Sequence, residues 1–167
     1  MKRLLYLLLV ICAGTAFTAT LGENRQEFTV HPIGWVRKAE NKVAIILDQA
    51  YQPGLLGLEG FSHVYVLYWF DRNDNSEKRS VLRVHPRGNP RNPLTGVFAT
   101  RSPARPNLIA LSLCKILAIK ENTIEIDGID ALPDSPVLDL KPFIPHSEAT
   151  TASVPDWVSR DDENRGR

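Results

Sequence analysis

The stretch "SHVYVLYWF", residues 62–70, decides the fold class that the sequence predicts. β-Branched and aromatic side chains fall on both of its faces, a composition typical of β-strands. A strand that is apolar on both faces is expected inside a sheet, with other structure packed on each side of it. We therefore predict a central β-strand here, and its partners should lie on either side of it in the chain.

Other segments have strand composition and are separated by turns. We predict strands at residues 27–37, 42–48, 80–86, 96–100, 108–120, 122–128 and 136–144. Residues 108–120 and 122–128 should form a hairpin, residues 52–61 a glycine-rich connection with one helical turn, and residues 71–79 a polar loop. The fold class predicted is mainly β: a small closed or nearly closed β-barrel of about seven strands, with short helical connections.

The beginning of the chain differs from the rest of its 167 residues. Lys2 and Arg3 precede residues 4–21, which carry no charge, as in a secretory signal peptide or a membrane anchor. We expect residues 1–22 to be such a segment, residues 27–158 the barrel domain and residues 159–167 a flexible tail, with Trp157 packed on the barrel. The domain would then be exported or membrane-anchored, or cytoplasmic if the anchor has the inverted orientation.

The sequence lacks the motifs of several common metal, cofactor and catalytic sites. The histidines are scattered without the spacing of a zinc site, so we expect no metal. The glycines at 54, 57 and 60 match neither a dinucleotide-binding nor a phosphate-binding loop. No nucleophile elbow surrounds Ser102. Cys114 stands in an apolar stretch and is expected to be a buried small side chain.

The stretch "GVFATRSPARPN", residues 96–107, predicts a stiff binding loop. Pro103 and Pro106 restrict the backbone and remove N–H donors, while Arg101 and Arg105 supply two guanidinium groups. A rigid, twice-cationic loop suits an anionic ligand, either phosphates or one carboxylate. The other arginines between residues 72 and 91 could equally form a solvated face.

A second cluster lies in "DGIDALPDSPVLDLKPFIP", residues 127–145. Asp139 and Lys141 are two residues apart on a predicted strand and so share one face. A carboxylate and an ammonium on a mostly apolar strand need partners. They could pair with each other or with Arg101 or Arg105, or they could contact a ligand.

Three motifs, "GLEGFSHVYVLYWF", "GVFATRSPARPN" and "DGIDALPDSPVLDLKPFIP", together resemble the TsaA-like family, also called the TrmO family. The resemblance implies an S-adenosylmethionine-dependent methyltransferase built on a small β-barrel and usually dimeric. Its family substrate is N6-threonylcarbamoyladenosine beside the tRNA anticodon. We therefore expect S-adenosyl-L-methionine as the cofactor, a homodimer, and tRNA as a partner by resemblance.

The resemblance also implies site residues. The cofactor would contact Phe70, Asp71, Arg101, Leu111 and the loop formed by Asp127, Gly128, Ile129 and Asp130. Further pocket or substrate positions would be Ser102, Arg105, Asn107, Asp139 and Lys141. No residue is assigned a catalytic role, because methyl transfer from this cofactor needs mainly position and orientation.

Two departures from the family pattern bear on the substrate. The tRNA-modifying members carry a Pro-Arg-Gln motif in a longer segment after the first strand, whereas here "IGWVRKAEN" leads straight to "KVAIILD". Asp71 stands where the family usually has histidine. Both weaken the expectation of a tRNA substrate. The alternatives are a small-molecule methyltransferase and an exported or membrane-anchored, non-enzymatic barrel that binds a small ligand.

Overall fold

The computed structural model of the protein describes residues 26–40, 42–148 and 151–163. The strands are β1 (Gly34–Ala39), β2 (Lys42–Leu47), β3 (His63–Trp69), β4 (Arg83–Val84), β5 (Thr95–Gly96), β6 (Ile109–Lys120), β7 (Thr123–Ile126) and β8 (Pro136–Pro142). Within the described residues, six strands close into an antiparallel barrel in the order β1-β2-β7-β6-β3-β8. β4 and β5 form a separate two-stranded ribbon.

The helices are short and lie in the connections. α1 (Ser76–Arg79) follows β3, and α2 (Asp156–Glu163) lies near the C-terminus. The remaining helical stretches are 3₁₀ turns at Gln49–Leu55, Leu58–Gly60, Asp71–Asn73, Pro86–Gly88, Val97–Ala99 and Pro145–Ser147. In the described part of the chain, no helix is long and apolar enough to cross a membrane.

Alternation along the strands builds the core. In β3, Val64, Val66 and Tyr68 point into the barrel and are buried, while the residues between them are partly exposed. In β7, Ile124 and Ile126 do the same. Full burial of each such aliphatic side chain contributes about 1.5–3 kcal/mol. The interior is therefore a packed core, and a ligand site must lie at an end or on the outside.

Most sequence predictions of the fold are confirmed. The protein is mainly β with a closed barrel and short helices. The strands at 42–48, 62–70 and 136–144 are present, and residues 108–128 form the predicted hairpin. Cys114 is buried as expected, and desolvation raises the pKa of its thiol to about 11.

Other expectations were wrong in detail. The described barrel has six strands rather than about seven, because the segments at 80–86 and 96–100 contribute only the ribbon β4–β5. The first strand begins at Gly34, and residues 26–33 precede it without regular structure. The loop at 71–79 contains α1, which Asn75 caps by accepting a hydrogen bond from the backbone of Lys78.

Two further expectations concern coverage and the chain ends. We predicted that β3 would be covered on both faces. Its inward residues are buried in the core, whereas its outward residues are only half-buried. Residues 159–163 belong to α2, and the flexible tail expected at residues 159–167 stays a prediction. Packing of Trp157 on the barrel stays a prediction. The expected signal peptide or anchor at residues 1–22, and residues 164–167, lie outside the described residues.

Gly34 tests the packing of the first hairpin. A Cβ there would collide with the carbonyl oxygen of Ile46 and would lie 2.7 Å from Cα of Leu47. Gly34→Ala should therefore lower the free energy of unfolding by about 1–3 kcal/mol in chemical denaturation. Gly54→Ala is the matched control, because a Cβ at Gly54 meets nothing within 4 Å. Equal stability of the two variants would contradict the tight β1–β2 contact.

Candidate functional site

A cavity of about 260 Å³ opens at the end of the barrel where β3 finishes. Three segments line it: residues 68–73 at and after the end of β3, the loop with Arg101 and Pro103, and residues 130–135 between β7 and β8. We call it the barrel-mouth cavity. Its volume is close to the lower end of the range of about 300–1,000 Å³ that is usual for small-molecule sites.

An aromatic pair forms one wall of the cavity. The rings of Tyr68 and Phe70 meet edge to face, with centroids 5.6 Å apart. Burial raises the pKa of the Tyr68 hydroxyl, which lies 3.5 Å from the hydroxyl of Ser112. The backbone N–H of Phe70 donates to the carbonyl of Leu108 at 2.8 Å, which continues the sheet beyond β3. This wall is rigid, apolar and neutral at physiological pH.

Arg101 enters the cavity from a loop that is fixed by its own side chains. The backbone N–H of Ser102 donates to Oγ1 of Thr100 at 3.2 Å, and the N–H of Ala104 donates to Oγ of Ser102 at 3.3 Å. Arg105 donates to the carbonyl oxygen of Thr100 at 3.2 Å. Arg101 itself makes no hydrogen bond or ion pair with any residue that the structure describes.

A second arginine fastens the far end of this loop. Arg79 donates to the carbonyl oxygen of Pro106 at 2.9 Å and to Oδ1 of Asp74 at 2.7 Å. Its guanidinium also lies 5.4 Å from the ring centroid of Trp69, within cation–π range. Trp69 donates to Asp74 at 3.1 Å, and the hydrogen bonds from Arg79 and Trp69 lower the pKa of that carboxyl. The loop is thus tied to the end of β3.

The opposite wall carries acidic and hydroxyl groups. Asp130 is exposed and makes no hydrogen bond or ion pair with the described residues. Ser135 is only 3% exposed as a residue, and its hydroxyl lies at the cavity surface, since the described part of the chain has no fully buried side-chain oxygen or nitrogen without a hydrogen-bond partner. Arg72 donates to the carbonyl of Pro133 at 3.1 Å and holds this wall against the first. A hydroxyl at the surface of a cavity can donate or accept a hydrogen bond from a ligand.

No group of three or more His, Cys, Asp or Glu side chains suited to a metal ion occurs among residues 26–40, 42–148 and 151–163. The cavity presents two arginines, Arg72 and Arg101, two carboxylates, Asp71 and Asp130, and the aromatic pair.

The family model described as the tRNA-methyltransferase O N-terminal domain matches residues 24–149. The chain belongs to this TrmO family. Its similar proteins include two archaeal proteins, each named a probable S-adenosyl-L-methionine-binding protein. The one from Methanocaldococcus jannaschii is 47% identical over 70% of this chain and 92% of its own length. The one from Pyrococcus horikoshii is 44% identical over 71% of this chain and 84% of its own.

The chain is also similar to a named human enzyme and to an enzyme of known crystal structure. The human tRNA (adenine(37)-N6)-methyltransferase is 44% identical over 56% of this chain but only 20% of its own length. The crystal structure of TrmO from Pseudomonas aeruginosa superposes with a TM-score of 0.59 at 27% identity, over 77% of this chain and 62% of that one. The chain thus spans less than two thirds of these longer enzymes. The predicted family, enzyme class and cofactor are confirmed at the level of the TrmO family.

The structure brings four of the eight predicted cofactor residues together. Phe70, Asp71, Arg101 and Asp130 all line the barrel-mouth cavity. Leu111 does not, because it lies on the outward face of β6 opposite Leu67 of β3.

The other three residues of the predicted cofactor loop do not line this cavity, and their contact with the cofactor stays a prediction. Oδ1 of Asp127 accepts the backbone N–H of Lys115 at 2.9 Å, beside the irregularity in β6 between Ile116 and Ala118. Gly128 and Ile129 do not line the cavity, and the carbonyl of Ile129 accepts a hydrogen bond from Lys38 at 2.8 Å.

The five residues predicted as further pocket positions lie in two places, the Arg101 loop and strand β8. Ser102 and Arg105 shape the loop that carries Arg101, and Asn107 is exposed at its end. Asp139 and Lys141 pair with each other at 2.8 Å on β8, which is one of the alternatives left open by the sequence. None of the five lines the barrel-mouth cavity.

Sequence reasoning missed Tyr68, Ser135 and Arg79. Strand alternation places Tyr68 on the inward face together with Val64 and Val66, but nothing local shows that this face reaches a cavity. Ser135 lies between Asp134 and Pro136 and reads as an ordinary turn residue. Arg79 is one arginine among several, and only its contact with Pro106 distinguishes it.

Arg79 should affect cofactor binding although it does not line the cavity. Arg79→Ala removes the hydrogen bond to Pro106, so the Arg101 loop gains freedom and the affinity for S-adenosylmethionine should fall about tenfold in calorimetry. Arg79→Lys should restore it only in part, since an ammonium cannot reproduce the planar fork. Lys78→Ala is the control, because Lys78 pairs only with Glu77 in the described residues. Unchanged affinity in Arg79→Ala would refute the anchoring role.

Proposed function

We propose that this protein binds S-adenosylmethionine in the barrel-mouth cavity and transfers its methyl group to a nucleophile, most simply a nitrogen. The observation that carries the proposal is the Arg101 guanidinium, which lines the cavity without a partner among the described residues, in a chain of the TrmO family. The names of the archaeal relatives as S-adenosylmethionine-binding proteins support it.

The cavity groups fit the parts of this cofactor. Arg101 has no carboxylate partner among the described residues, so it can take the cofactor's carboxylate in charge-assisted hydrogen bonds. Asp130 can accept hydrogen bonds from ribose hydroxyls or an amino group. Ser135 can donate or accept one hydrogen bond within the same wall.

The aromatic pair suits the remaining groups. Tyr68 and Phe70 offer an apolar surface to the adenine, and their rings also attract a cation such as the sulfonium. When bound, S-adenosylmethionine supplies an activated methyl group that a nucleophile displaces from sulfur. The protein then has to bind, orient and exclude water, and it needs no strong base unless the acceptor is protonated. The absence of an obvious catalytic dyad in the cavity agrees with this division of labour.

The acceptor that we propose is an adenosine in tRNA. The human, mouse and rat relatives are named tRNA (adenine(37)-N6)-methyltransferases, and the family model is described as a tRNA-methyltransferase domain. Ala39 of β1 pairs with Lys42 of β2, so only two residues connect these strands. The longer segment that the resemblance leads one to expect after the first strand is not there. A small-molecule acceptor is therefore the neighbouring possibility within the same reaction class.

We also propose that the protein is a homodimer, with the outer face of β3 and β6 as the interface. The cross-strand pairs there are apolar: Tyr65 with Leu113, Leu67 with Leu111, and Trp69 with Ile109. Leu111 and Leu113 remain 44% and 45% exposed. A continuous exposed apolar patch on a sheet face is typical of a surface that packs against another molecule.

A second candidate function is an exported or membrane-anchored barrel that binds a small ligand without catalysis. The uncharged run at residues 4–21, after Lys2 and Arg3, favours it, because a domain moved across a membrane leaves the compartment where the cofactor is made. The ligand would use the same cavity. The two functions differ in whether S-adenosylmethionine binds.

Calorimetric titration of the protein with S-adenosylmethionine tests the proposal. We expect micromolar binding that Arg101→Ala weakens at least about tenfold, because a charge-assisted hydrogen bond is lost. Ser135→Ala should weaken binding by roughly fivefold while leaving the ligand-free protein as stable as before, since the hydroxyl has no partner there. Lys120→Ala, which removes an exposed cation on β6, is the control. No binding at millimolar cofactor would sink the methyltransferase proposal and favour the binding barrel.

The dimer is tested separately by light scattering. Leu111→Glu should convert the protein into a monomer, because it places a charge in the apolar interface. Ile46→Glu, at a similarly exposed position on β2, should leave the mass unchanged. A wild-type protein that is monomeric at micromolar concentration would rule out this interface.

A further inference from the structure

The β4–β5 ribbon carries exposed apolar side chains that the proposed function does not use. Leu82, Leu94 and Phe98 are 59%, 55% and 78% exposed. Leu82 directly precedes β4, Leu94 directly precedes β5, and Phe98 lies in the 3₁₀ turn that follows β5. None of the three lines the barrel-mouth cavity. Large apolar side chains that protrude together from one element mark a surface that meets another molecule or a membrane.

The pairing of the ribbon brings these side chains together. Arg83 of β4 pairs with Gly96 of β5, and the N–H of Val97 donates to the carbonyl oxygen of Leu82 at 3.0 Å. Leu82 and Phe98 are therefore neighbours across the ribbon, and Leu94 lies two residues before Gly96. We call Leu82, Leu94, Phe98 and Arg83 the ribbon patch.

The backbone beneath the ribbon patch is held in place. The side chain of Val97 is buried, and its carbonyl oxygen accepts two hydrogen bonds from Thr100, at 3.1 and 2.9 Å. Between β4 and β5, Nδ1 of His85 donates to the carbonyl of Asn92 at 2.8 Å, and the Asn92 amide donates to the carbonyl of Pro86 at 3.2 Å. The apolar side chains are therefore presented to solvent by a fixed backbone rather than by a loose loop.

The ribbon patch belongs to a cationic part of the chain. Residues 80–107 contain five arginines and no carboxylate, in a chain whose formal net charge is only +1. Arg83 is exposed, and its side chain makes no hydrogen bond or ion pair with any residue that the structure describes. Each arginine near an anionic bilayer contributes about 1 kcal/mol of attraction, which acts within a Debye length of the surface. The charge of this part therefore complements an anionic bilayer.

The start of the sequence also points to a bilayer. Residues 4–21 carry no charge and follow Lys2 and Arg3, as in a membrane anchor. Twelve residues, 22–33, would separate such an anchor from β1, which begins at Gly34. Twelve extended residues reach at most about 40 Å. A tether of this length keeps the barrel beside the bilayer, where a second, weak contact of the domain with lipid becomes effective.

We propose that the ribbon patch docks the domain on an anionic lipid bilayer. Its three apolar side chains enter the boundary between headgroups and acyl chains, and Arg83 contacts lipid phosphates. Aromatic and aliphatic side chains beside arginine are typical of surfaces that lie in this boundary. A bilayer needs no complementary shape, which suits side chains that protrude from a ribbon rather than line a groove. The inference goes beyond the proposed function, because the ribbon patch takes no part in the barrel-mouth cavity.

Quenching of tryptophan by brominated lipid tests the inference on the full chain. The vesicles contain brominated phosphatidylcholine and phosphatidylglycerol, and the wild-type emission is subtracted from that of each variant. The tryptophan added by Phe98→Trp should be quenched at least about twofold, because a side chain in the boundary lies about 5–10 Å deep. Leu56→Trp is the matched control, since Leu56 is 92% exposed in the connection after β2. It should not be quenched, and both variants share any insertion of residues 4–21.

The charge of the ribbon patch is tested in the same assay. Arg83→Glu, combined with Phe98→Trp, should lower the quenching to the level of the control, because the glutamate repels anionic lipid. Lys120→Glu, which reverses an exposed cation on β6, should leave it unchanged. Added salt and vesicles of phosphatidylcholine alone should each weaken the quenching. The affinity for S-adenosylmethionine should stay at the wild-type value in Phe98→Trp, since Phe98 does not line the cavity.

Three results would overturn the inference. One is equal quenching of the tryptophans added at positions 98 and 56. Another is quenching at position 98 that stays the same in vesicles of phosphatidylcholine alone and in Arg83→Glu. The third is a lower molecular mass of Phe98→Glu than of the wild type in light scattering without lipid, which would show that the ribbon patch packs between subunits.

Discussion

The contact between β1 and β8 is the constraint on which the rest of the structure depends. Only Gly34 with Val137 and Trp35 with Pro136 pair along it. Three backbone hydrogen bonds extend it: Ile33 donates to Val137 at 2.8 Å, Val36 donates to Ser135 at 3.0 Å, and Asp134 donates to Val36 at 2.8 Å. Without this contact β1 and β8 would be open edges. With it, the segment 130–135 is carried across the barrel mouth, where it faces the aromatic pair and Arg101.

Arginine side chains hold in place the loops in which prolines remove backbone N–H donors. Pro103, Pro106 and Pro133 stiffen the loops around the cavity but give no N–H to hold them in place. Three guanidinium groups supply donors instead: Arg72 to Pro133, Arg79 to Pro106, and Arg105 to Thr100. Each bonds a backbone carbonyl, so the loops are fastened through their acceptors. Arg72 and Arg101 both line the cavity, and of the two only Arg101 makes no hydrogen bond with the described residues.

Local patterns in the sequence predict individual strands and loops. They do not predict the features that depend on which strands pair when the barrel closes. Alternation in residues 62–70 and the apolar run at 108–120 were enough for β3 and for the β6–β7 hairpin. Arg101 was found from its prolines, and Phe70, Asp71 and Asp130 from the family resemblance. Leu111 and Asp127 were placed in the cofactor site, but the structure has one on the outer face and the other bonded to Lys115. Neither difference can be read from local spacing, because both follow from which strands pair.

Ser135 shows how the fold and the site share one element. Its carbonyl takes part in the contact with β1, while its side chain lines the cavity. A hydrogen bond between a ligand and this hydroxyl would contribute about 0.5–1.5 kcal/mol. A ligand that contacts Arg101 and Ser135 together would also hold residues 130–135 against the barrel mouth. Binding and barrel closure would then reinforce each other, as any ligand that favours the folded state stabilises it.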